Sequence, residues 1–214
     1  MMLNAGAASS SMGWLQAIRE LHELHFSFDW YSHALALSHR YGLEGDDELK
    51  VNAPGLPPRW FSGDVEAIEP ERWVLVVSLN PNYSKDGTDL QWFNQQAFDS
   101  EGWWNHMRSH NRDWWYAPFF APLVQVAVLA LGEEEVQAGH RPEFATTRMV
   151  FLELCPYVSH RFWLPWETID ELSRTDTGFE IAATLRKILI EQGSPALVLV
   201  NGRSAMWDFE RIYE

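Results

Sequence analysis

The stretch Trp73-Val-Leu-Val-Val-Ser-Leu-Asn-Pro-Asn-Tyr83 decides the fold class of this chain. It is an apolar run that stops at polar, turn-forming residues, and such a run is typical of a strand buried on both faces of a parallel sheet. Pro81 cannot donate to a sheet ladder, and it disfavours helical backbone at Asn80. The sequence therefore predicts a central strand over residues 74–79, with Asn80 just past its carboxyl end, where open α/β sheets bind ligands.

Two further apolar runs predict strands at residues 148–155 and 196–200, and both are followed by polar or turn-forming residues. Buried strands that alternate with helices predict an α/β fold, specifically a three-layer α/β/α sandwich with a short, mostly parallel central sheet. We predict a disordered tail at residues 1–12 and a single domain at residues 13–214. In a parallel sheet the three strand ends share one edge, so Asn80-Pro81, Glu153 to Pro156 and Asn201-Gly202 are expected to converge on one cleft.

Helical periodicity and capping residues predict the helices between these strands. The expected helices cover residues 13–24, 29–41, 177–193 and 204–213, with one more from Pro118 or Pro122 to Leu131. Asp29 and Gly42 are the expected cap and stop of the second helix, and Thr177 opens a capping-box pattern. Residues 44–72, 132–142 and 159–175 are interpreted as loops or irregular segments, the last with a short turn near residues 167–172. The long connection 80–117 is expected to be functional or to carry short helices.

Composition limits the classes of protein that fit. The chain has 214 residues, of which 46% are hydrophobic, so one domain with a sizeable core is expected. Its net charge of −14 argues against a surface that coats nucleic acid broadly, although a local basic cleft is compatible with it. We find no secretory signal and no membrane-spanning run, and Cys155 is the only cysteine, so a cytoplasmic protein is expected.

Tryptophan is unusually frequent, with 12 residues in the chain, seven of them between Trp60 and Trp115. Tryptophan most often fills a core, but in a segment rich in asparagine and glycine it can also form a platform on which a base or sugar stacks. The sequence leaves both interpretations open.

The common cofactor signatures are missing. The chain has no glycine-rich dinucleotide motif, no phosphate loop and no paired-cysteine zinc pattern, so we predict no cofactor and no metal. His106 and His110 stand four residues apart, a spacing that suits two metal ligands on one helix face. Without a third ligand, ordinary surface or capping roles are the alternative.

The combined pattern resembles the uracil-DNA glycosylase superfamily over roughly residues 60–207. In that family a strand leads into a Gly-x-Asn-Pro-Gly type of motif, and Ser78-Leu79-Asn80-Pro81-Asn82 matches its Asn-Pro core. The resemblance implies extrusion of a base from DNA and hydrolysis of its N-glycosidic bond. It implies that Asn80 positions the water, that Tyr83, Trp92 or Phe93 stacks on the base, and that Glu153 reads the base edge. Pro81, Asn82 and Asn201 complete the implied base-binding set.

This chain departs from the family pattern at two places. The family commonly has an amide where Glu153 stands, and a carboxylate would accept from an exocyclic amine and repel the carbonyls of uracil, so we expect that uracil is not the preferred base. The alternative is that Glu153 points elsewhere, or pairs with Arg148 or Arg161. The family's fourth strand and the His-Pro-Ser type of motif after it are also missing from this sequence. His160 is a candidate substitute, although it follows the second strand and not a fourth.

The sequence therefore predicts a protein that recognises a flipped nucleobase and hydrolyses its N-glycosidic bond, with DNA or a nucleobase-containing ligand as partner. The alternative is a catalytically inactive module of the same fold that binds nucleic acid or a nucleoside. No membrane partner is expected, and the sequence leaves the oligomeric state open.

Overall fold

The computed structural model of the chain describes residues 8–51, 55–78, 96, 98–118, 120–133, 138–159 and 164–201. Within these ranges the helices are α1 (Ala8–His25), α2 (Trp30–Tyr41), α3 (Ser100–Ser109), α4 (Asn111–Trp114), α5 (Phe120–Ala130), α6 (Arg141–Thr147), α7 (Trp166–Thr175) and α8 (Thr177–Glu191). The strands are β1 (Phe61–Ser62), β2 (Val74–Ser78), β3 (Met149–Glu153) and β4 (Leu197–Val200). Single 3-10 turns lie at Gly45–Asp47 and Ala138–His140.

The described strands form one mostly parallel sheet in the order β1-β3-β2-β4. The central strand β2 pairs in parallel with both β3 and β4, which confirms the three strands predicted from the apolar runs. At the outer side of β3, β1 is antiparallel. The interpretation of residues 44–72 as loop throughout was therefore wrong at β1, because two residues are too short to show the alternation of a strand.

Both faces of the sheet are covered by helices, which confirms the three-layer arrangement. Leu75 and Val77 of β2 pack in a larger core with residues of α1, α2, α3, α7 and α8. Val74 and Val76 point to the opposite face and pack in a smaller core with α5 and α6. All five residues of β2 are buried, as expected of a central strand with an apolar layer on each side.

The helix ends were predicted well where capping residues mark them. The Asp29 side chain accepts from the Ser32 amide at 3.1 Å, and Gly42 ends α2 in the left-handed conformation at φ 64°. At α8, however, the capping side chain is that of Asp176 and not Thr177. The connection after residue 80 carries the short helices α3 and α4 in its described part, as expected.

Other helix predictions need correction or lie beyond the described residues. Residues 166–175 form the helix α7, although residues 159–175 were predicted to be irregular with one short turn. The start of α6 at Arg141 lies inside a predicted turn region. The first described helix begins at Ala8, inside the segment predicted as a tail. The predicted helix at 204–213 lies outside the described residues.

One tight contact fixes β1 against the sheet. Gly63 directly follows β1 and has φ 119°, a conformation that side chains rarely adopt. A Cβ at this position would overlap the carbonyl oxygen of Met149, where β3 begins. The Asn111 side chain ties the same region together, because its Nδ2 donates to the carbonyls of Ser62 (3.2 Å), Ala145 (3.1 Å) and Met149 (3.1 Å).

No helix in the described part of the chain is both long and apolar enough to cross a lipid bilayer.

Candidate functional site at the carboxyl edge of the sheet

Polar side chains lie at the carboxyl end of each parallel strand, on the face that carries the smaller core. On each strand alternate residues pack in that core, and the next residue on the same face is polar. These polar residues are Ser78 on β2, Glu153 on β3 and Asn201 directly after β4. We call them the polar row.

The strand register makes this row continuous across the sheet. Ser78 lies opposite Glu153 in the pairing of β2 with β3. Val77 lies opposite Val200 in the pairing of β2 with β4, so Asn201 lies beside Ser78. The Asn201 amide donates to the Val77 carbonyl at 2.7 Å, which continues the ladder past β4. The expected convergence of the strand ends is therefore present for Glu153 and Asn201.

The other predicted site residues lie outside the described part of the chain. They are Asn80, Pro81, Asn82, Tyr83, Trp92 and Phe93. Their roles stay predictions.

The Glu153 carboxyl group is the unusual member of the polar row. Its Oε2 is buried and has no hydrogen-bond partner, and the Ser78 Oγ at the adjacent position is in the same state. The residue as a whole is nevertheless partly exposed, so one side of it remains open. Buried polar atoms are normally satisfied, because an unpaired one costs about 1–3 kcal/mol. Two such atoms side by side indicate a place that a ligand or water completes.

Burial also changes the charge of this carboxyl group. Removal from water raises the pKa of Glu153 from 4.5 to about 7, and the Arg59 guanidinium opposes that rise. At neutral pH the acid and the carboxylate are therefore both populated. Carboxyl groups with such a pKa are suited to proton transfer at a reacting centre.

Arg59 lies near this edge of the sheet because it precedes β1. Because β1 is antiparallel to β3, the residues that precede Phe61 lie next to the carboxyl end of β3. The Arg59 Nη1 donates to His110 Nε2 at 2.9 Å. A guanidinium has no acceptor, so His110 must present an unprotonated Nε2 to it. Sequence reasoning missed Arg59, since nothing in the segment 44–72 distinguishes it from other loop residues.

Of the two histidines that were considered as metal ligands, His110 is hydrogen-bonded to Arg59 and His106 packs among aromatic rings. The rings of His106 and His110 are 5.5 Å apart, and that of His106 stacks on Trp103 at 5.2 Å. Burial lowers the pKa of His106 to about 4 and the pKa of His110 well below 6.5. The positive charge of Arg59 is the second-largest cause for both rings. Both rings are neutral at pH 7, and no group of three potential metal ligands occurs among the described residues.

Arg148, one of the two arginines named as alternative partners of Glu153, lies near other carboxylates. Arg148 lies near Glu69 and Glu133, at 3.9 Å from each, so it is engaged away from Glu153. Arg161 lies outside the described residues. The interpretation in which Arg148 neutralises Glu153 was therefore wrong.

Most described tryptophans of the enriched segment serve the core. Trp60, Trp73, Trp103 and Trp104 are buried and pack in the larger core. Trp114 is the exposed member of the described set, at 45%, and its ring lies 6.0 Å from that of His110. The core interpretation accounts for four of these residues, and the stacking platform stays a prediction.

A second polar cluster lies past the end of β3, around the buried Asp176. One oxygen of this carboxylate caps α8 by accepting from the amides of Gly178 (2.9 Å) and Phe179 (3.1 Å). The Tyr157 hydroxyl donates to the same oxygen at 3.3 Å, and His33 Nε2 lies 2.6 Å from the other. The cluster therefore connects α2, α8 and the segment after β3. All of its contacts are explained by helix capping and packing.

We compared the chain with protein-family models, with curated proteins and with solved structures, and none of the three comparisons gave a match.

Proposed function

We propose that the polar row forms the floor of a nucleobase-binding site and that the protein hydrolyses the N-glycosidic bond of the base bound there. The observation that supports this most directly is the unpaired, buried carboxyl oxygen of Glu153 beside the unpaired hydroxyl of Ser78. These atoms lie at the carboxyl ends of adjacent parallel strands, which is the usual ligand position in α/β sheets.

The chemistry of the row suits a flat ligand that has several hydrogen-bonding groups. A carboxyl group, a hydroxyl group and an amide in one line offer acceptors and donors at neighbouring positions. A nucleobase edge presents the same kinds of group in one plane. A purely apolar ligand would leave Glu153 Oε2 and Ser78 Oγ unsatisfied, at a cost of about 1–3 kcal/mol each.

The proposed reaction depends on the resemblance of residues 78–82 to the glycosylase motif. On that basis Asn80 would hold the attacking water, and Tyr83, Trp92 or Phe93 would stack on the base. An asparagine amide can orient water but is not a base, so most of the catalysis would come from stabilising the departing base. On the same basis Glu153, at the carboxyl end of β3, would contact that base.

The second candidate function is binding of a free nucleoside without cleavage. The net charge of −14 favours it, because such a charge repels a polyanionic duplex at long range. The salt dependence of binding separates the two candidates. Affinity for DNA would fall steeply with salt, whereas affinity for a neutral nucleoside would hardly change.

A glycosylase assay tests the proposal. Single- and double-stranded oligonucleotides that carry one uracil, hypoxanthine, cytosine, modified cytosine or adenine are incubated with the protein, and abasic sites are revealed by alkaline cleavage. Asn80→Ala should abolish cleavage, while Asn105→Ala on the exposed face of α3 should leave it unchanged. Base-dependent binding that gives no cleavage on any substrate would reject the hydrolase and favour the binding module.

A further inference from the structure

We propose that Glu153 is the proton donor to the departing base, so that the substrates are bases with a basic ring nitrogen beside an amine, such as cytosine or adenine. This inference rests on the proposed function. It assigns a catalytic role to a residue whose expected role was recognition of the base edge.

The geometry leaves this carboxyl group available for such a task. Glu153 Oε2 is buried and has no hydrogen-bond partner, while the residue as a whole remains partly open. The polar neighbours on β2 and β4 are Ser78 and Asn201, which have no ionisable group. Neither of these two neighbours therefore exchanges a proton with Glu153.

The ionisable groups around Glu153 act in opposite directions on its pKa. The Arg59 charge, from the segment before β1, favours the carboxylate, and burial favours the acid more strongly. The Cys155 thiol is close enough to feel the Glu153 charge but is itself buried, with its pKa raised well above 9. His110 accepts a hydrogen bond from Arg59, His106 feels the Arg59 charge, and both rings are neutral. The acid form is therefore available near pH 7 and is lost above it.

The chemical step is balanced as follows. The bond from C1′ to the base nitrogen breaks, and its electron pair goes to the base. The Glu153 proton moves to the ring nitrogen, a water oxygen bonds to C1′ and releases a proton to solvent, and the carboxylate regains a proton from solvent. The base takes the electron pair and one proton, so it departs neutral. While the bond is breaking, the base still carries part of the positive charge of that proton, and the carboxylate faces this amine-bearing edge. That pairing is charge-assisted, so it stabilises the transition state more than the ground state.

A proton-donating Glu153 would accelerate the cleavage of uracil very little. Its edge carries carbonyl oxygens and an N–H but no basic ring nitrogen, so the proton has no good acceptor. Uracil would have to depart as an anion, next to a carboxyl group that cannot carry positive charge. A proton-donating Glu153 therefore predicts different pH dependences for the two kinds of base.

The proposal is tested by single-turnover cleavage assays from about pH 5.5 to 8.5. The substrates are single-stranded oligonucleotides that carry one cytosine, adenine or uracil. For cytosine or adenine, we expect the rate of the unmodified protein to fall about tenfold per pH unit above about pH 7. Glu153→Gln should lower that rate about 100-fold or more and remove the decline. If uracil is cleaved, Glu153→Gln should change the rate of that cleavage by less than about tenfold. Glu191→Gln, exposed at the far end of α8, is the matched control.

Three outcomes overturn the proposal. If Glu153→Gln slows all bases equally, or keeps the decline above pH 7, Glu153 is not the proton donor. If only uracil is cleaved, without that decline, the glycosylase function stands and this inference fails. If no base is cleaved, both fail. The comparison of cytosine with uracil in the unmodified protein tests the inference even if the variant does not fold.

Discussion

Replacing Glu153 with glutamine should stabilise the protein at alkaline pH and do much less at acidic pH. The reason lies in the burial of the Glu153 carboxyl group. Its oxygen Oε2 lacks a hydrogen bond, and the raised pKa of about 7 means that ionisation is disfavoured in the folded state. In the unfolded chain the same group ionises near its ordinary pKa of 4.5. Glutamine has nearly the same shape and never ionises.

The sign and size of this effect follow from linkage. Since the folded pKa is raised, the unfolded state ionises first as pH increases, and stability falls between about pH 4.5 and 7. A tenfold change in the protonation equilibrium is worth about 1.4 kcal/mol, so the full penalty above pH 7 is about 3 kcal/mol. At about pH 5 only part of it has developed. The advantage of glutamine should therefore grow by about 2–3 kcal/mol between pH 5 and 8.5.

Urea unfolding at several pH values, followed by tryptophan fluorescence, measures this difference directly. Each variant is compared with the unmodified protein at the same pH, so titration of other groups cancels in the difference. Glu191→Gln should stay within about 0.5 kcal/mol of the unmodified protein at every pH, as expected of a surface substitution. A constant difference for Glu153→Gln across pH 5 to 8.5 would refute the argument, because it would mean that this carboxyl group titrates normally.

Three further substitutions test other parts of the structure. Asp176→Ala should lower the free energy of unfolding by about 2–4 kcal/mol, because the α8 cap and the contact with His33 are lost. Asp176→Asn should keep the cap, so its melting temperature in thermal unfolding should fall less than that of Asp176→Ala. Gly63→Ala should prevent folding or lower the melting temperature sharply, since its φ and the Met149 carbonyl exclude a side chain; a melting temperature like that of the unmodified protein would contradict this. His106→Gln should reduce acid sensitivity. Because the pKa of His106 is about 4 in the folded protein, the free energy of unfolding falls as the pH drops below 6.5, by about 2 kcal/mol at pH 5. Denaturant titrations of the unmodified protein and of His106→Gln at pH 7 and pH 5 measure this loss.

The fold class was predictable because the strands of the sheet centre are continuous apolar runs. Burial on both faces requires such runs, so β2, β3 and β4 could be located before any tertiary contact was known. Helix ends at Asp29 and Gly42 were predictable because capping is a local interaction. By contrast, β1 and α7 went unrecognised, since a two-residue strand and a helix after a proline-containing irregular stretch have weak local signals.

The candidate site was predictable only as an edge of the sheet. The strand ends identified Glu153 and Asn201, and the parallel register then brought Glu153, Ser78 and Asn201 into one row. Arg59 could not be found, because its position depends on the antiparallel pairing of β1 with β3. The spacing of His106 and His110 left their role open, and only the tertiary structure showed that His110 is hydrogen-bonded to Arg59.

The sequence by itself determined that this chain forms an α/β sandwich with polar residues where its strands end. Those properties depend on side-chain burial and backbone preference, which act over a few neighbouring residues. Only the tertiary structure decided that Oε2 of Glu153 is buried without a hydrogen-bond partner, near Arg59 and beside Ser78. The charge of a carboxyl group depends on the groups that surround it in space, and those groups come from segments far apart in the chain.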